Sequence, residues 1–584
     1  MLFSEFAFFL SCLEALSSRL AMTEVLAELY TKLSQEELKE ASYLLQGSLV
    51  PPYQSLEFQI SNKLVIRSLA QLQAKQESTA TNLFGESDAT GSELQVSELF
   101  IKTGDIGTVA EKVSEKVKID KKLTLLEVFS RLRLIAEASG DGSQAQKVNQ
   151  LVALFSDLEP ISNRYIARIV IGKMRLGFST MTLLDALSWA KNKSKEESKV
   201  LENAYQKKAD VGALAQVYLV AKTKEERDRA LANYSVSFAV PVIPQLCQRL
   251  HSAEEIIEKL GEVFAEPKYD GLRIQLHIST DTNEVHAYTR SLEDATHMFP
   301  ELAVLPKAIS AHTVILDAEA IGYDPDTGVL LPFQDTITRK RKHDVASKAD
   351  SVPIRFYVYD VMLIDGESLI DKPLEERKKR LLSLFSNSKT LTHSPVLRTK
   401  NAAELQRFHE EQLRLGLEGA VVKQVMSPYQ SGRKGWYWVK IKEAAGTRGK
   451  LADTLDCLVL GYYPGRGKRT QFGVGAFLVG VLDGDKVRTI AKIGTGLTDD
   501  QFRELKKRCD ELKTSVKPEA YDVPKDLFPG VWCLPGLVTE IAADELTRSP
   551  MHTAGLALRF PRLVRFRDDK KWRDATSVSE LGDF

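Results

Sequence analysis

Cysteine is scarce and scattered: Cys12, Cys247, Cys457, Cys509 and Cys533 are the five in a chain of 584 residues. No C-x-x-C pair spells out a zinc knuckle, and an odd, widely spaced set offers no disulfide framework. A reducing compartment, and hence a cytoplasmic protein, is the expectation. Net charge is equally absent, because 79 basic and 79 acidic side chains cancel; any groove for a polyanion must come from local placement. No apolar run reaches the roughly 18 residues that mark a membrane span. The apolar start Phe6-Ala-Phe-Phe-Leu10 has Glu5 before it, Glu14 and Arg19 after it, and no small-residue cleavage site. Its apolar positions Phe6, Phe9, Leu10, Leu13 and Leu16 have the spacing of a helix with one buried stripe. Gly and Pro stand at ordinary levels and no internal repeat occurs, which excludes collagen-like, low-complexity and solenoid classes.

What is present is globular: 43% hydrophobic and 27% charged residues in 65.2 kDa, enough for three or four compact units. The texture changes twice along the chain. Residues 1–228 read as helical, with long Leu, Ala, Glu and Lys stretches broken by loops such as the Ser/Thr/Gly-rich 79–97. Residues 229–447 carry period-two segments at 273–278, 314–320, 355–360 and 436–442, with helices between. Residues 448–584 show short strands with Gly-rich turns, at 457–463 and 475–481, the pattern of a small barrel. The expected fold is therefore multidomain: all-α, then α+β, then β-barrel.

The chemistry concentrates in Glu266-Pro-Lys-Tyr-Asp-Gly-Leu-Arg273. A K-x-D-G-x-R match arises by chance in about one chain in a hundred of this length. Lys268 reads either as a solvated lysine before an Asp-Gly turn or as a nucleophile. A lysine amine attacks phosphorus only when unprotonated, which calls for desolvation or cationic neighbours. In 436–442 the strand period puts Trp438, Lys440 and Lys442 on one face and Tyr437, Val439 and Ile441 on the other, so two ammonium groups share a site. Asp317-Ala-Glu319 and Glu418-Gly-Ala-Val-Val-Lys423 place carboxylates on apolar strands, where each needs an ionic partner or a metal.

Taken in order, Lys268-Tyr-Asp-Gly-Leu-Arg273, Tyr288-Thr-Arg-Ser291, Asp317-Ala-Glu319, Phe356-Tyr-Val-Tyr-Asp360, Glu418 to Lys423 and Lys440-Ile-Lys442 resemble the nucleotidyltransferase motifs of ATP-dependent DNA ligases. Arg559-Phe-Pro-Arg562 with Arg567-Asp-Asp-Lys570 resembles that family's last motif. The resemblance covers nearly the whole chain and is closest to the archaeal type, which is similar to the eukaryotic replicative ligase. Gly104-Asp-Ile-Gly107 and Ser139-Gly-Asp-Gly-Ser143 resemble its phosphate-gripping turns, and Tyr165 to Gly177 resembles its DNA-binding helix, giving Gly104, Gly107, Lys173 and Arg175 as DNA contacts. Glycine turns of that kind expose backbone N–H groups to phosphate.

The resemblance implies a helical DNA-binding domain at 1–228, an adenylation domain at 229–447 and an OB-fold at 448–584. It implies nick sealing in replication, repair and recombination, with ATP and Mg²⁺ as cofactors and nicked duplex DNA as partner. Lys268 would carry AMP, Glu266 would contact the adenine, and Tyr359 would stack on the ring where a Phe is common. Arg273, Arg290 and Glu319 match ribose and phosphate contacts, and Lys440 and Lys442 match the α-phosphate side. Lys434 stands where relatives often have Arg. Glu319 and Glu418 would flank magnesium, and Arg559 and Arg562 would meet the pyrophosphate.

Arg339-Lys-Arg-Lys342 is a further candidate backbone contact, with His343 beside it as surface. An RNA ligase or capping guanylyltransferase shares these motifs but not the helical domain. An NAD-dependent ligase lacks support because the cysteines have no zinc-finger spacing. A DNA-end-binding scaffold with a dead pocket is opposed by the presence of every key side chain. No Q-x-x-[ILM]-x-x-aromatic-aromatic box is present, which leaves a sliding-clamp partner open. A monomer is expected.

Overall fold

The computed structural model describes residues 1–80, 89–117, 121–250, 252–331, 352–432, 435–442, 454–465, 467–543 and 545–581. Lys434 and the run 339–343 lie outside them, as does the side chain of Lys442. The chain forms two compact units, Met1–Lys442 and Glu443–Phe584. Among the described residues no helix is long and apolar enough to cross a membrane.

Helices fill the first unit up to Asn233. The first, Phe3–Ala15, buries Phe3, Phe6, Ala7, Phe9, Leu10 and Leu13, the stripe that its spacing gives. Each of the Phe and Leu side chains contributes about 1.5–3 kcal/mol by leaving water. The helix stops at Leu16, whose backbone is extended. Side chains cap the later starts: Thr124 and Glu127 form a reciprocal capping box, and Asp105 accepts from Gly107 and Thr108.

From Gln248 onward two sheets form. The first comprises β1 (Gln248–Arg249), β2 (Val263–Pro267), β9 (Leu397–Thr399), β10 (Gly419–Gln424) and β11 (Trp438–Lys442), in the order β1-β11-β10-β2-β9. The second comprises β3 (Leu272–Ser279), β4 (Glu284–Thr289), β5 (Thr313–Gly322), β6 (Ile354–Ile364) and β7 (Glu367–Ser368), in the order β4-β3-β5-β6-β7, with β8 (Leu391–His393) parallel to β6.

Strict alternation sorts each strand into two faces. Val263, Ala265, Ala420, Val422, Val439 and Ile441 pack under the helices Ala253–Leu260 and Ala402–Arg414. Ile274, Leu276, Val314, Leu316, Ala318, Phe356 and Val358 form the core behind the second sheet. The opposite faces carry Glu266, Lys423, Trp438 and Lys440 on one sheet and Arg273, Asp317, Glu319 and Tyr359 on the other. Ile315, Tyr359, Met362, Tyr429 and Trp438 join the two sheets through a shared apolar cluster.

Two sequence expectations shift. The last strand begins at Trp438, not Trp436: Gly435 has φ +61°, and Tyr437 packs on the Tyr359 and Trp438 cluster instead of facing the Val439 side. Glu418 sits one residue before β10 rather than within it. It is held there because its N–H donates to the Lys268 carbonyl at 3.0 Å while the Lys268 N–H donates to Gly419 at 2.8 Å.

The second unit is built on an eight-stranded, largely antiparallel sheet whose core packs against the helix Asp499–Glu511. A β domain is thus present; among the described residues the strand path ends in two edges, Lys513–Thr514 and Tyr521–Asp522.

Candidate active site

The segment Lys268 to Gly271 crosses from β2 in one sheet to β3 in the other, which puts Lys268 between the two charged faces. Its Nζ lies 2.6 Å from Glu418 Oε2, with the two side chains 20% and 22% exposed. The direct partner is therefore an anion, which arrives through the ladder that pins Glu418 to Lys268. Cations gather here as well: the charges of Arg273, Lys423, Lys268 and Lys440 all act on the nearby Cys247 thiol. Gly271 is required by close approach and not by a turn: an added Cβ would meet Ile321 Cγ1 at 2.7 Å, the Ala320 carbonyl at 2.8 Å and Glu319 Cγ at 2.9 Å. Gly419, at φ +122°, leaves equally little room, with the Ile441 carbonyl 2.6 Å from such a Cβ.

Across the gap, the Arg273 guanidinium grips Asp317 through two bonds, Nε to Oδ1 at 3.0 Å and Nη2 to Oδ2 at 2.6 Å. The Tyr359 and Tyr429 hydroxyls donate to the same carboxylate at 3.0 and 2.8 Å. Burial, reinforced by the Asp317 charge, pushes both phenols well above their ordinary value, so they remain donors. Tyr359 also meets Trp438 edge to face, with ring centroids 6.3 Å apart. The Trp438 indole Nε1 is buried without a partner among the described residues, a donor left for a ligand.

Glu319 pairs in register with Arg273 and Tyr357. Burial pushes its carboxyl up to about 7 against the opposing pull of Lys268 and Arg273. A carboxyl whose burial outweighs its two cationic neighbours is a place for a further cation. Glu266 is buried and meets two lysines, Lys378 and Lys423, while burial brings Lys423 down to about 8.

The structure therefore brings Lys268, Glu266, Arg273, Glu319, Tyr359, Glu418 and Lys440 to the space between the sheets. Lys440 is half-buried there, opposite Val421. Lys442 pairs with Gly419 at the end of the strand. Arg290 is exposed on the turn after β4. Arg559 and Arg562 belong to the other unit and flank Phe560, which has φ +52° and is exposed.

Four residues of this site escaped the sequence reading of roles. Lys423 and Asp317 stood inside quoted motifs without an assignment. Tyr429 lies outside every motif, and Lys378 is a buried charge on the helix Leu374–Leu382. No local signal marks the last.

In the helical part Gly104 and Gly107 do not offer their amides to phosphate. The Gly104 N–H donates to Phe100 at 2.8 Å and the Gly107 N–H to Asp105 Oδ1 at 3.4 Å, so both amides are spent internally. Gly107 is buried inside the helix Ile106–Ser114, where an added Cβ would lie 2.7 Å from Arg168 Nε. Its smallness serves helix packing. The segment 165–177 is helical only to Val170; Lys173 and Arg175 are exposed on the following irregular stretch, between buried Met174 and Leu176.

Comparison with known proteins places this geometry. The family model described as ATP dependent DNA ligase domain matches residues 244–442, DNA ligase N terminus matches 2–188, and ATP dependent DNA ligase C terminal region matches 470–570. The chain is 38% identical to "Probable DNA ligase" of Dictyoglomus turgidum over 593 residues, covering 100% of this chain and 97% of that protein. It is 38% identical to "DNA ligase 2" of Thermofilum pendens over 608 residues, covering 99% and 96%. A solved structure described as "Pmar-Lig_PreS3" shares the fold at TM-score 0.53 and 14% identity, covering 96% of this chain and 99% of that one. With relatives this similar along its full length, the chain belongs to the ATP-dependent DNA ligase family.

Proposed function

We propose that the chain seals nicks in duplex DNA by joining a 3′-hydroxyl to a 5′-phosphate through an enzyme-lysyl-AMP and a DNA-adenylate. The observation that carries this reading is the Lys268 amine set between the sheets, 2.6 Å from Glu418, with Glu319 on the facing strand. Once the Lys268 ammonium has given a proton to Glu418, its lone pair attacks the α-phosphorus of ATP; the N–P bond forms, the P–O bond to pyrophosphate breaks, and the second proton leaves the nitrogen with the departing pyrophosphate. AMP then passes to the 5′-phosphate, and attack by the 3′-hydroxyl expels it.

The remaining assignments follow the faces of the two sheets. The purine lies against Tyr359 with its edge toward Glu266; Arg273, Arg290, Lys440, Lys442 and Lys434 serve the ribose and phosphates. Glu319 and Glu418 would hold magnesium, which takes one or two carboxylates plus substrate phosphates. The raised Glu319 carboxyl fits that role, and among the described residues no larger cluster of His, Cys, Asp and Glu competes for it. When bound, the ion neutralises charge on the transferring phosphoryl group.

Residues 1–228 are assigned to DNA binding, with Lys173 and Arg175 meeting backbone phosphates, and 229–447 to adenylation. Residues 448–584 are assigned to an OB-fold whose Arg559 and Arg562 serve adenylylation rather than sealing.

Incubation with ATP labelled on its α-phosphate tests the reading. Label is expected to stay on the wild-type chain, to be absent from Lys268→Ala and to be discharged by nicked duplex DNA. Persistent labelling of Lys268→Ala overturns it.

A further inference from the structure

Glu266 is held from both sides. The Lys378 ammonium meets its Oε1, and the Lys423 Nζ lies 2.5 Å from its Oε2. The three residues are 8%, 1% and 2% exposed for Lys378, Lys423 and Glu266, so the carboxylate is withdrawn from water and its charge is answered by protein alone. Lys378 stands on the helix Leu374–Leu382 beside Arg377. Arg377 grips Asp360 through bonds of 2.8 and 2.9 Å and donates to the Lys372 and Ser427 carbonyls. One helix thus fixes both Glu266 and Asp360, the residue that follows Tyr359. Lys423 completes the connection, its Nζ lying 4.3 Å from the Tyr359 ring centroid and 4.1 Å from that of Trp438.

We propose that Lys378 is a positioning residue for nucleobase selection: with Lys423 it fixes Glu266 as an ionised acceptor, so that the pocket takes a purine presenting an exocyclic amine and refuses one presenting a carbonyl. The inference rests on the proposed placement of the purine edge at Glu266. An ionised carboxylate only accepts hydrogen bonds. The 6-amino group of adenine donates to it, whereas the 6-oxo group of guanine sets oxygen against oxygen and leaves both unpaired. Two lysines without the carboxylate would do the reverse and welcome the 6-oxo group. The order of charges is therefore what selects the base, and Lys378 supplies the outer member of that order. A purely structural Lys378 would change the thermal midpoint and leave the preference between purines alone.

The test measures enzyme-nucleotide formation by the full chain with ATP and with GTP, each labelled on the α-phosphate. Lys378→Met is expected to raise the KM for ATP about tenfold, as for a lost charge-assisted hydrogen bond, with kcat held within about twofold and the ATP-over-GTP ratio lowered by a similar factor. Lys378→Arg restores all three. Lys378→Gln keeps a donor without the charge; it is expected to fall between wild type and Lys378→Met, and carries the test if the latter does not fold. An unchanged KM and purine ratio in a folded Met or Gln variant overturns the proposal. Glu266→Gln separates the two levels. If it too leaves KM and preference unmoved, the purine does not meet Glu266 and the underlying placement fails. If it shifts them while the Lys378 variants do not, only the role of Lys378 fails.

Discussion

Two acids in the first unit, the buried Asp105 and the half-buried Glu319, move in opposite directions. In the helical part, burial pushes Asp105 upward, but the hydrogen bonds and charge of Arg168 overcome it and leave the carboxyl at about 2. Arg168 is 3% exposed and divides its guanidinium between Asp105 and Glu14. Between the sheets, burial wins over Lys268 and Arg273, and Glu319 stands at about 7. The helical network is charge-complete and serves the fold. At Glu319 burial outweighs the two cations that act on it, and a magnesium ion is proposed to restore the balance.

The strongest way to break the comparison is Arg168→Met. Two acids lose their partner at once, and removal of one member of a buried ion pair costs about 3–5 kcal/mol; a thermal midpoint lowered by many degrees, read by calorimetry, is the expected outcome. Glu319→Gln comes next and has the opposite signature. Adenylylation, measured as label transfer from ATP, should fall about a hundredfold, while the fold becomes more stable at pH 8. The sign follows from the raised carboxyl. Below pH 4.5 the acid is protonated in both states and costs nothing, but as pH rises from 4.5 toward 7 the unfolded chain ionises first and the native state loses ground. The gain from Gln is expected at about 3 kcal/mol at pH 8 and to vanish near pH 4. Equal melting of the two proteins at both pH values would remove the contrast with Asp105.

Gly271→Ala sharpens the geometry with a smaller effect. Its methyl group would press on Glu319 Cγ and the Ala320 carbonyl, for a loss of about 1–3 kcal/mol by overpacking and slower adenylylation. The smallest effect is the Asp105 titration. Its carboxyl is depressed in the folded state, so its contribution is complete above pH 3.8 and disappears as pH falls through about 2. Asp105→Asn is expected to flatten the acid limb of a melting-point profile between pH 4 and 2, by about 1 kcal/mol or somewhat more.

Local periodicity told much of this in advance. Alternation along 273–278 and 314–320 separated Ile274, Leu276, Val314, Leu316 and Ala318, which pack in the core, from Arg273, Asp317 and Glu319, which do not. Of the stripe Phe6, Phe9, Leu10, Leu13 and Leu16, the first four form the buried face of the first helix, and Leu16 lies just past its end. What alternation leaves open is the specific partner. The motifs direct Lys268, Glu319, Glu418 and Lys440 toward one site, and the fold makes Glu418 the group in contact with Lys268. Gly107 was read as a phosphate turn and is a helix contact, because a glycine that grants backbone freedom and one that grants proximity look alike in sequence. Lys378 carried no signal at all.

The sequence by itself determined the order of the motifs, the face of each strand on which each charge stands, and with them the family to which the chain belongs. The tertiary structure alone decided which charge answers which. Glu266 finds Lys378 across 112 residues and Lys423 across 157. Such pairings depend on strand order, register and the closeness that Gly271 and Gly419 permit. The periods of 2 and 3.6 residues fix a direction for each side chain, and a direction does not say what waits on the other side.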